Sequence, residues 1–308
     1  MHLLDVNAKG VFVISATPFT DDGALDLESL DRATDFYFEK GADGITILGM
    51  MGEAPKLTMA ESNEVAARAI SRAGDRPVIV GCSSPALAAI GELGKSVMDM
   101  GAAGIMVAPP GTLKTDGQIV AYYHDVARAL GDGVPIVLQD FPLATNVHIA
   151  PEVISRIVTD LPDMVMLKHE DWPGLSKITA IRKAESEGQR RISILCGNGG
   201  VFLPEELARG ADGAMTGFGY PEMMVDVVAL VAKGDMDRAQ DIFDAYLPLI
   251  RYEQQPGIGL AARKHVLAKR GVIASPMIRP PGGGLSAEAQ AEVNRLISRQ
   301  TLRLGTMA

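Results

Sequence analysis

Three stretches of the chain read almost alike: Lys40-Gly41-Ala42-Asp43-Gly44-Ile45-Thr46-Ile47-Leu48, Met100-Gly101-Ala102-Ala103-Gly104-Ile105-Met106-Val107-Ala108 and Arg209-Gly210-Ala211-Asp212-Gly213-Ala214-Met215-Thr216. In each, a glycine able to take the left-handed conformation ends a helix, and an apolar run too short for a buried helix follows. Five further runs of this kind, at 11–16, 78–81, 134–138, 164–167 and 192–195, bring the expected strands to eight. Between them lie stretches with apolar residues at three- and four-residue spacing, among them 27–39, 60–73, 86–100, 118–130 and 175–187. Thr58 with Glu61, and Thr115 with Gln118, read as capping boxes that satisfy orphan amides at helix starts.

Strands that are apolar throughout are buried on both faces, so eight such β-then-α units predict a parallel sheet covered by helices. A closed (β/α)8 TIM barrel is the simplest arrangement. A doubly wound sheet is the alternative, but it usually has fewer strands, and no G-x-G-x-x-G follows a strand here. The barrel is assigned to residues 1–235. Residues 236–308 form an additional C-terminal helical extension, with helices at 236–250, 258–270 and 286–300 expected to pack on the barrel.

The net charge of −9 and the absence of a long basic cluster argue against nucleic acid as a partner. The short group of Arg263, Lys264, Lys269 and Arg270 is expected to decorate a helix. No uncharged apolar run approaches the roughly 18 to 20 residues of a spanning helix, so no membrane association is expected and the protein reads as cytoplasmic. Two distant cysteines, Cys82 and Cys196, speak against a disulfide framework or a structural zinc, and their expected role is that of small buried hydrophobes.

Active sites of such barrels lie at the carboxyl ends of the strands. The most informative exit is Met164-Val165-Met166-Leu167-Lys168-His169-Glu170-Asp171. Alternation places Met164, Met166 and Lys168 on one face. An apolar floor disfavours an ammonium and favours the free amine, the form that attacks a carbonyl to make a Schiff base. Lys56, Lys114, Lys177 and Lys264 fall in loops or on helices and read as solvated charges. A second exit, Ile47-Leu48-Gly49-Met50-Met51-Gly52-Glu53, carries two glycines around a turn whose consecutive amides suit a carboxylate.

That turn resembles the Gly-Thr-Thr-Gly-Glu motif of the dihydrodipicolinate synthase and N-acetylneuraminate lyase superfamily of class I Schiff-base enzymes. Thr17-Pro18-Phe19 with Asp22-Gly23, the segment from Glu53 to Leu57-Thr58, Ala108-Pro109-Pro110, Pro142 after the fifth strand and Lys168 closing the sixth extend the resemblance over nearly the whole chain. It implies that Lys168 forms an imine with a 2-oxo acid while Gly49, Met50 and Met51 hold the substrate carboxylate. It also implies no cofactor beyond that covalent imine, and a homo-oligomer, a dimer or tetramer.

The chain departs from the family where carbon–carbon chemistry is done. Gln139-Asp140-Phe141-Pro142 stands for the family's Tyr-Asn-x-Pro, so the proton-relaying phenol is gone. Met50 and Met51 replace both hydroxyls of the carboxylate turn, and Leu143-Ala144-Thr145-Asn146 lacks the arginine of the lysine-pathway synthases. Glu170, two residues after Lys168, is the expected replacement acid–base group. Lys-His-Glu, a non-tyrosine fifth strand and Cys196-Gly197-Asn198-Gly199-Gly200 together look similar to the L-2-keto-3-deoxyarabonate dehydratase branch. Gln139, Cys196, Gly197, Asn198 and Thr216 are the expected substrate-binding residues with the turn, while His169, on the opposite parity, is expected to pack between strand and helix. No metal is expected. The expected activity is dehydration of a 2-oxo-3-deoxy sugar acid. The alternatives are a retro-aldolase yielding pyruvate, a deaminase of a hydroxyproline-derived pyrroline, and an inactive barrel that only binds an oxo acid.

Overall fold

The computed structural model describes residues 3–172 and 174–306. Eight parallel strands close in chain order into a barrel: β1 (Gly10–Ile14), β2 (Gly44–Ile47), β3 (Val78–Gly81), β4 (Gly104–Val107), β5 (Ile136–Asp140), β6 (Met164–His169), β7 (Ser193–Cys196) and β8 (Gly213–Ala214). The ring closes where β8 pairs with β1, Gly10 opposite Gly213 and Val11 opposite Ala214. The fold is therefore the expected (β/α)8 TIM barrel with additional C-terminal helices. The helix-ending glycines of the three look-alike stretches, Gly41, Gly101 and Gly210, have φ of 90°, 107° and 95°, a region costly for a residue with a Cβ.

The helices are α1 (Leu27–Glu39), α2 (Met59–Ala73), α3 (Leu87–Met100), α4 (Asp116–Leu130), the single turn α5 (Pro142–Thr145), α6 (Pro151–Asp160), α7 (Leu175–Ser186), α8 (Leu203–Ala208), α9 (Pro221–Ala232), α10 (Met236–Glu253), α11 (Gly259–Lys269) and α12 (Ala287–Gly305). Both capping boxes form: Thr58 and Thr115 accept from the amides of Glu61 and Gln118, whose side chains reach back. No helix of the described residues is long and apolar enough to cross a membrane.

Apolar side chains separate into two layers. The larger lies between strands and helices, and the smaller fills the barrel with Phe12, Ile14, Ile79, Met106, Val137, Met166, Leu195 and Met215. β6 departs from simple alternation. Its pairing with β5 slips by one residue, Ile136 facing Met164 and Val137 facing Met166, so Val165 is a bulge residue. Met164 consequently packs in the outer layer, and only Met166 lies beneath Lys168 inside the barrel. The expectation that Met164 shares the face of Lys168 is corrected on this ground.

Of the basic group on and just after α11, Lys269 is exposed as expected, but Arg263, Lys264 and Arg270 are not surface decoration. Lys264 is fully buried, with its Nζ 2.6 Å from Glu53 Oε1 and 2.8 Å from the Met277 carbonyl. Lys56 donates to the other oxygen of Glu53 at 2.8 Å and to the Arg279 carbonyl at 2.6 Å. Phe19 stacks between Lys264 and Arg279, 4.5 and 4.4 Å from its ring centre. Arg270 grips Glu222 and lies over the rings of Phe36 and Tyr220. Lys177, on α7, is also buried, paired with Asp140 at 2.6 Å and Asp171 at 2.7 Å. A buried ammonium survives only with such partners, and residue type plus helical position gives no sign of them. Lys114 alone of the four lysines is exposed.

Candidate active site

Six strand ends and the α10–α11 connection enclose a cavity of about 310 Å³ at the carboxyl mouth of the barrel. Its centre is set by β6. Lys168, only 4% exposed, points into the mouth above Met166 because a strand residue two positions on returns to the same face. Glu170 also faces the mouth, with its Oε1 2.6 Å from Lys168 Nζ. Gln139 at the end of β5 donates its amide to Glu170 Oε2 at 3.1 Å. Both carboxylate oxygens are thus engaged, one by Lys168 and one by Gln139.

Glu170 is held from the β7 side as well. Asn198 donates to the Glu170 carbonyl at 2.8 Å from a left-handed backbone position, φ 49°, that asparagine tolerates. A Cβ placed on Gly197 would overlap the Cγ and carboxyl of Glu170, so glycine is what lets this side chain lie where it does. Thr216, after β8, accepts the Gly199 amide at 2.7 Å and keeps its own hydroxyl proton to donate.

Across the mouth, residues 49–52 form a tight turn whose own hydrogen bonds run from the amides of Gly52, Glu53 and Ala54. The amides of Met50 and Met51 head the turn and take no part in those bonds, and both side chains line the cavity. Thr17 pins the turn by donating to the Gly52 carbonyl at 2.6 Å, and Glu53 anchors its far end in the buried lysine network.

Seven of the expected residues, Lys168, Glu170, Met50, Met51, Gln139, Asn198 and Thr216, therefore converge on one cavity. Gly49 lies beneath it, facing Ile14 and Met106, and Gly197 lies behind Glu170. Cys196 is a correction. It ends β7 with its side chain in the outer layer, fully buried, and does not line the cavity, because the strand alternates and Leu195 takes the inward place. Burial pushes the thiols of both Cys196 and Cys82 upward, as befits unreactive buried groups.

The outer face also brings together residues that sequence spacing keeps apart. The ligand atoms of His169, Cys196 and Glu206 lie within 4.8 Å of one another, all buried. His169 packs between β6 and α8, 3.4 Å from Glu206. This donor set of nitrogen, sulfur and oxygen is the one group among the described residues that could hold a metal ion, and it is separated from the cavity by the barrel wall.

The sequence offered no signal for the roof of the cavity. Glu253, Gln254, Gln255 and Arg263 line it from the end of α10 and the first turns of α11. Arg263 Nε donates to Glu253 Oε2 at 2.8 Å, both side chains being buried. Burial drives the Glu253 carboxyl up, against the pull of Arg263. The Pro-Gly break in this connection was legible, but that it folds back over the mouth was not. The cavity thus holds two ion pairs, Lys168 with Glu170 and Arg263 with Glu253.

The sequence pattern of the dihydrodipicolinate synthetase family matches residues 7–300. An L-2-keto-3-deoxyarabonate dehydratase of Azospirillum brasilense is 30% identical over 297 residues, 94% of either chain. A 4-hydroxy-tetrahydrodipicolinate synthase of Persephonella marina is 31% identical over 246 residues, 79% of this chain and 82% of that one. A crystal structure titled dihydrodipicolinate synthase, from Rhodopseudomonas palustris, superposes with a TM-score of 0.96 at 54% identity, covering 97% of this chain and all of that one.

Proposed function

The chain belongs to the dihydrodipicolinate synthetase family of Schiff-base lyases, and from that premise we propose that it is a dehydratase of a 2-oxo-3-deoxy sugar acid. The substrate we infer is L-2-keto-3-deoxyarabonate, and the products are 2-oxoglutarate semialdehyde and water. The observation that carries the reading is the contact of 2.6 Å between Lys168 and Glu170, with Gln139 on the other carboxylate oxygen where a phenol would serve carbon–carbon chemistry.

In this reading the Lys168 amine attacks C2, and loss of water gives the protonated imine. The imine is the electron sink, so the chemistry calls on no metal or cofactor. Glu170 removes a C3 proton, the enamine electrons expel the C4 hydroxyl, and the same carboxyl returns the proton to it as water leaves. Loss of a C5 proton and protonation at C3 shift the double bond from C3–C4 to C4–C5, the resulting enol takes a proton at C4 to become the aldehyde, and addition of water to the imine releases the semialdehyde and free Lys168. One carboxylate beside the amine serves both proton transfers because C3 and C4 are adjacent. Gln139, Asn198 and Thr216 orient it and the substrate hydroxyls.

The 54% identity to a chain titled as a synthase favours a second reading, carbon–carbon bond formation. The residues weigh against it. No tyrosine lines the cavity among the described residues, and Leu143, Ala144, Thr145 and Asn146 supply no arginine. Mass spectrometric product identification from a panel of 2-oxo-3-deoxy acids tests the choice. Semialdehyde without pyruvate is expected; pyruvate with glycolaldehyde would replace dehydration by aldol cleavage, and ammonia from a hydroxypyrroline carboxylate would replace it by deamination.

A further inference from the structure

The turn at residues 49–51 has lost both hydroxyls, yet a 2-oxo acid must still have its carboxylate fixed while Lys168 attacks the neighbouring carbon. We propose that Arg263, from the C-terminal helices, is the cationic anchor of that carboxylate. The proposal rests on the 2-oxo acid reading above and assigns a residue to its charge.

Apart from Lys168, Arg263 is the only cation among the described residues lining the cavity. Its charge is held in place by one edge alone. Nε is spent on Glu253, the outer nitrogens meet no protein acceptor among the described residues, and the residue lines the cavity. A guanidinium has five donors in a planar fork, so it can serve Glu253 at Nε and a second carboxylate at its outer edge.

Position supports this use. The Nη1 group lies against Gly217, just after β8, and the same Gly217 abuts the Ile14 carbonyl at the end of β1. Ile14 in turn touches Gly49 at the head of the turn. In the closed barrel β1 is the strand between β8 and β2, so the guanidinium and the free amides of Met50 and Met51 stand on either side of one strand end. Neighbouring strands are about 4.8 Å apart, so a carboxylate above Ile14 stands between the guanidinium on one side and the amides on the other. Met50 and Met51 supply an apolar wall there, and a desolvated carboxylate gains more from a fixed cation than it would in water. Glu253 is then a positioning residue, which aims the fork without touching substrate.

The test is the concentration dependence of pyruvate trapping by cyanoborohydride, read as the lysine adduct by intact-mass spectrometry, with methyl pyruvate as the same carbonyl without charge. Arg263→Gln is expected to raise the half-trapping concentration of pyruvate by about 10- to 100-fold, the worth of a charged hydrogen-bonded contact, and to leave methyl pyruvate unchanged. Arg263→Lys is expected to recover part of the loss. Because a lone Glu253 would be left buried, the double variant Glu253→Gln with Arg263→Gln keeps the shape without the charges, and circular dichroism checks its fold. Equal pyruvate dependence in wild type and this double variant overturns the proposal, as does a parallel loss for methyl pyruvate. Absence of any adduct on Lys168 in the wild type would instead overturn the Schiff-base reading, and calorimetric binding of pyruvate to the same variants would still judge Arg263.

Discussion

At the residue scale the site reduces to one amine and one carboxylate placed by two neighbours. Lys168 and Glu170 were legible because they share strand parity at an apolar exit; Gln139 was legible as a departure at a position where the resemblance expects a phenol. Lys168→Ala is expected to leave almost no turnover, whereas Glu170→Gln should retain a remnant, lower by about 10² to 10⁴ in kcat, which is the usual worth of general acid–base help. Steady-state rates on the sugar acid measure both. Gly197→Ala gives a sharper check, since the three atoms nearest to the added methyl all belong to the side chain of Glu170. Turnover should fall towards that of Glu170→Gln while pyruvate still forms its adduct on Lys168. A variant with full turnover would show that the placement of Glu170 does not matter. Cys196 misled because proximity in sequence to Gly197 and Asn198 does not survive strand alternation, which turns its side chain outward.

At the element scale, helix starts and helix-ending glycines follow from local chemistry and were readable, whereas the bulge in β6 was not, since a slipped pairing depends on both strands. The C-terminal segment illustrates the same limit. Arg279 reaches from beyond α11 to Glu61 in the first turn of α2, at 2.7 Å, a partner 218 residues away. Its hydrogen bond, with that of the Thr58 amide, holds the Glu61 carboxyl down at about 2 from an ordinary 4.5. A depressed carboxyl contributes stability that is complete above its unfolded value and lost as pH falls through its folded value. The tie between α2 and the C-terminal segment should therefore weaken between pH 4.5 and about 2. Thermal unfolding followed by circular dichroism should show a steeper loss over this window in wild type than in Glu61→Gln; identical slopes would remove Glu61 from the account.

At the scale of the whole molecule, the barrel and its C-terminal helices are joined at Glu53, which begins as part of the turn beside the site and ends as the counter-charge of Lys264 and Lys56. Breaking one partner of a buried pair leaves an uncompensated charge, so Lys264→Met should cost about 3 to 5 kcal/mol in urea denaturation. A loss below about 1 kcal/mol, the range of surface pairs, would contradict this burial argument. By itself the sequence determined the barrel, because repeated helix stops and wholly apolar strands leave few ways to bury eight strands, and it singled out Lys168, because this lysine shares strand parity with Met166 at an apolar exit. Only the tertiary structure decided the roof, the buried lysines and the charge at Arg263. These depend on contacts between residues far apart in the chain, and a charged side chain on a helix reads the same in sequence whether it meets water or a buried carboxylate.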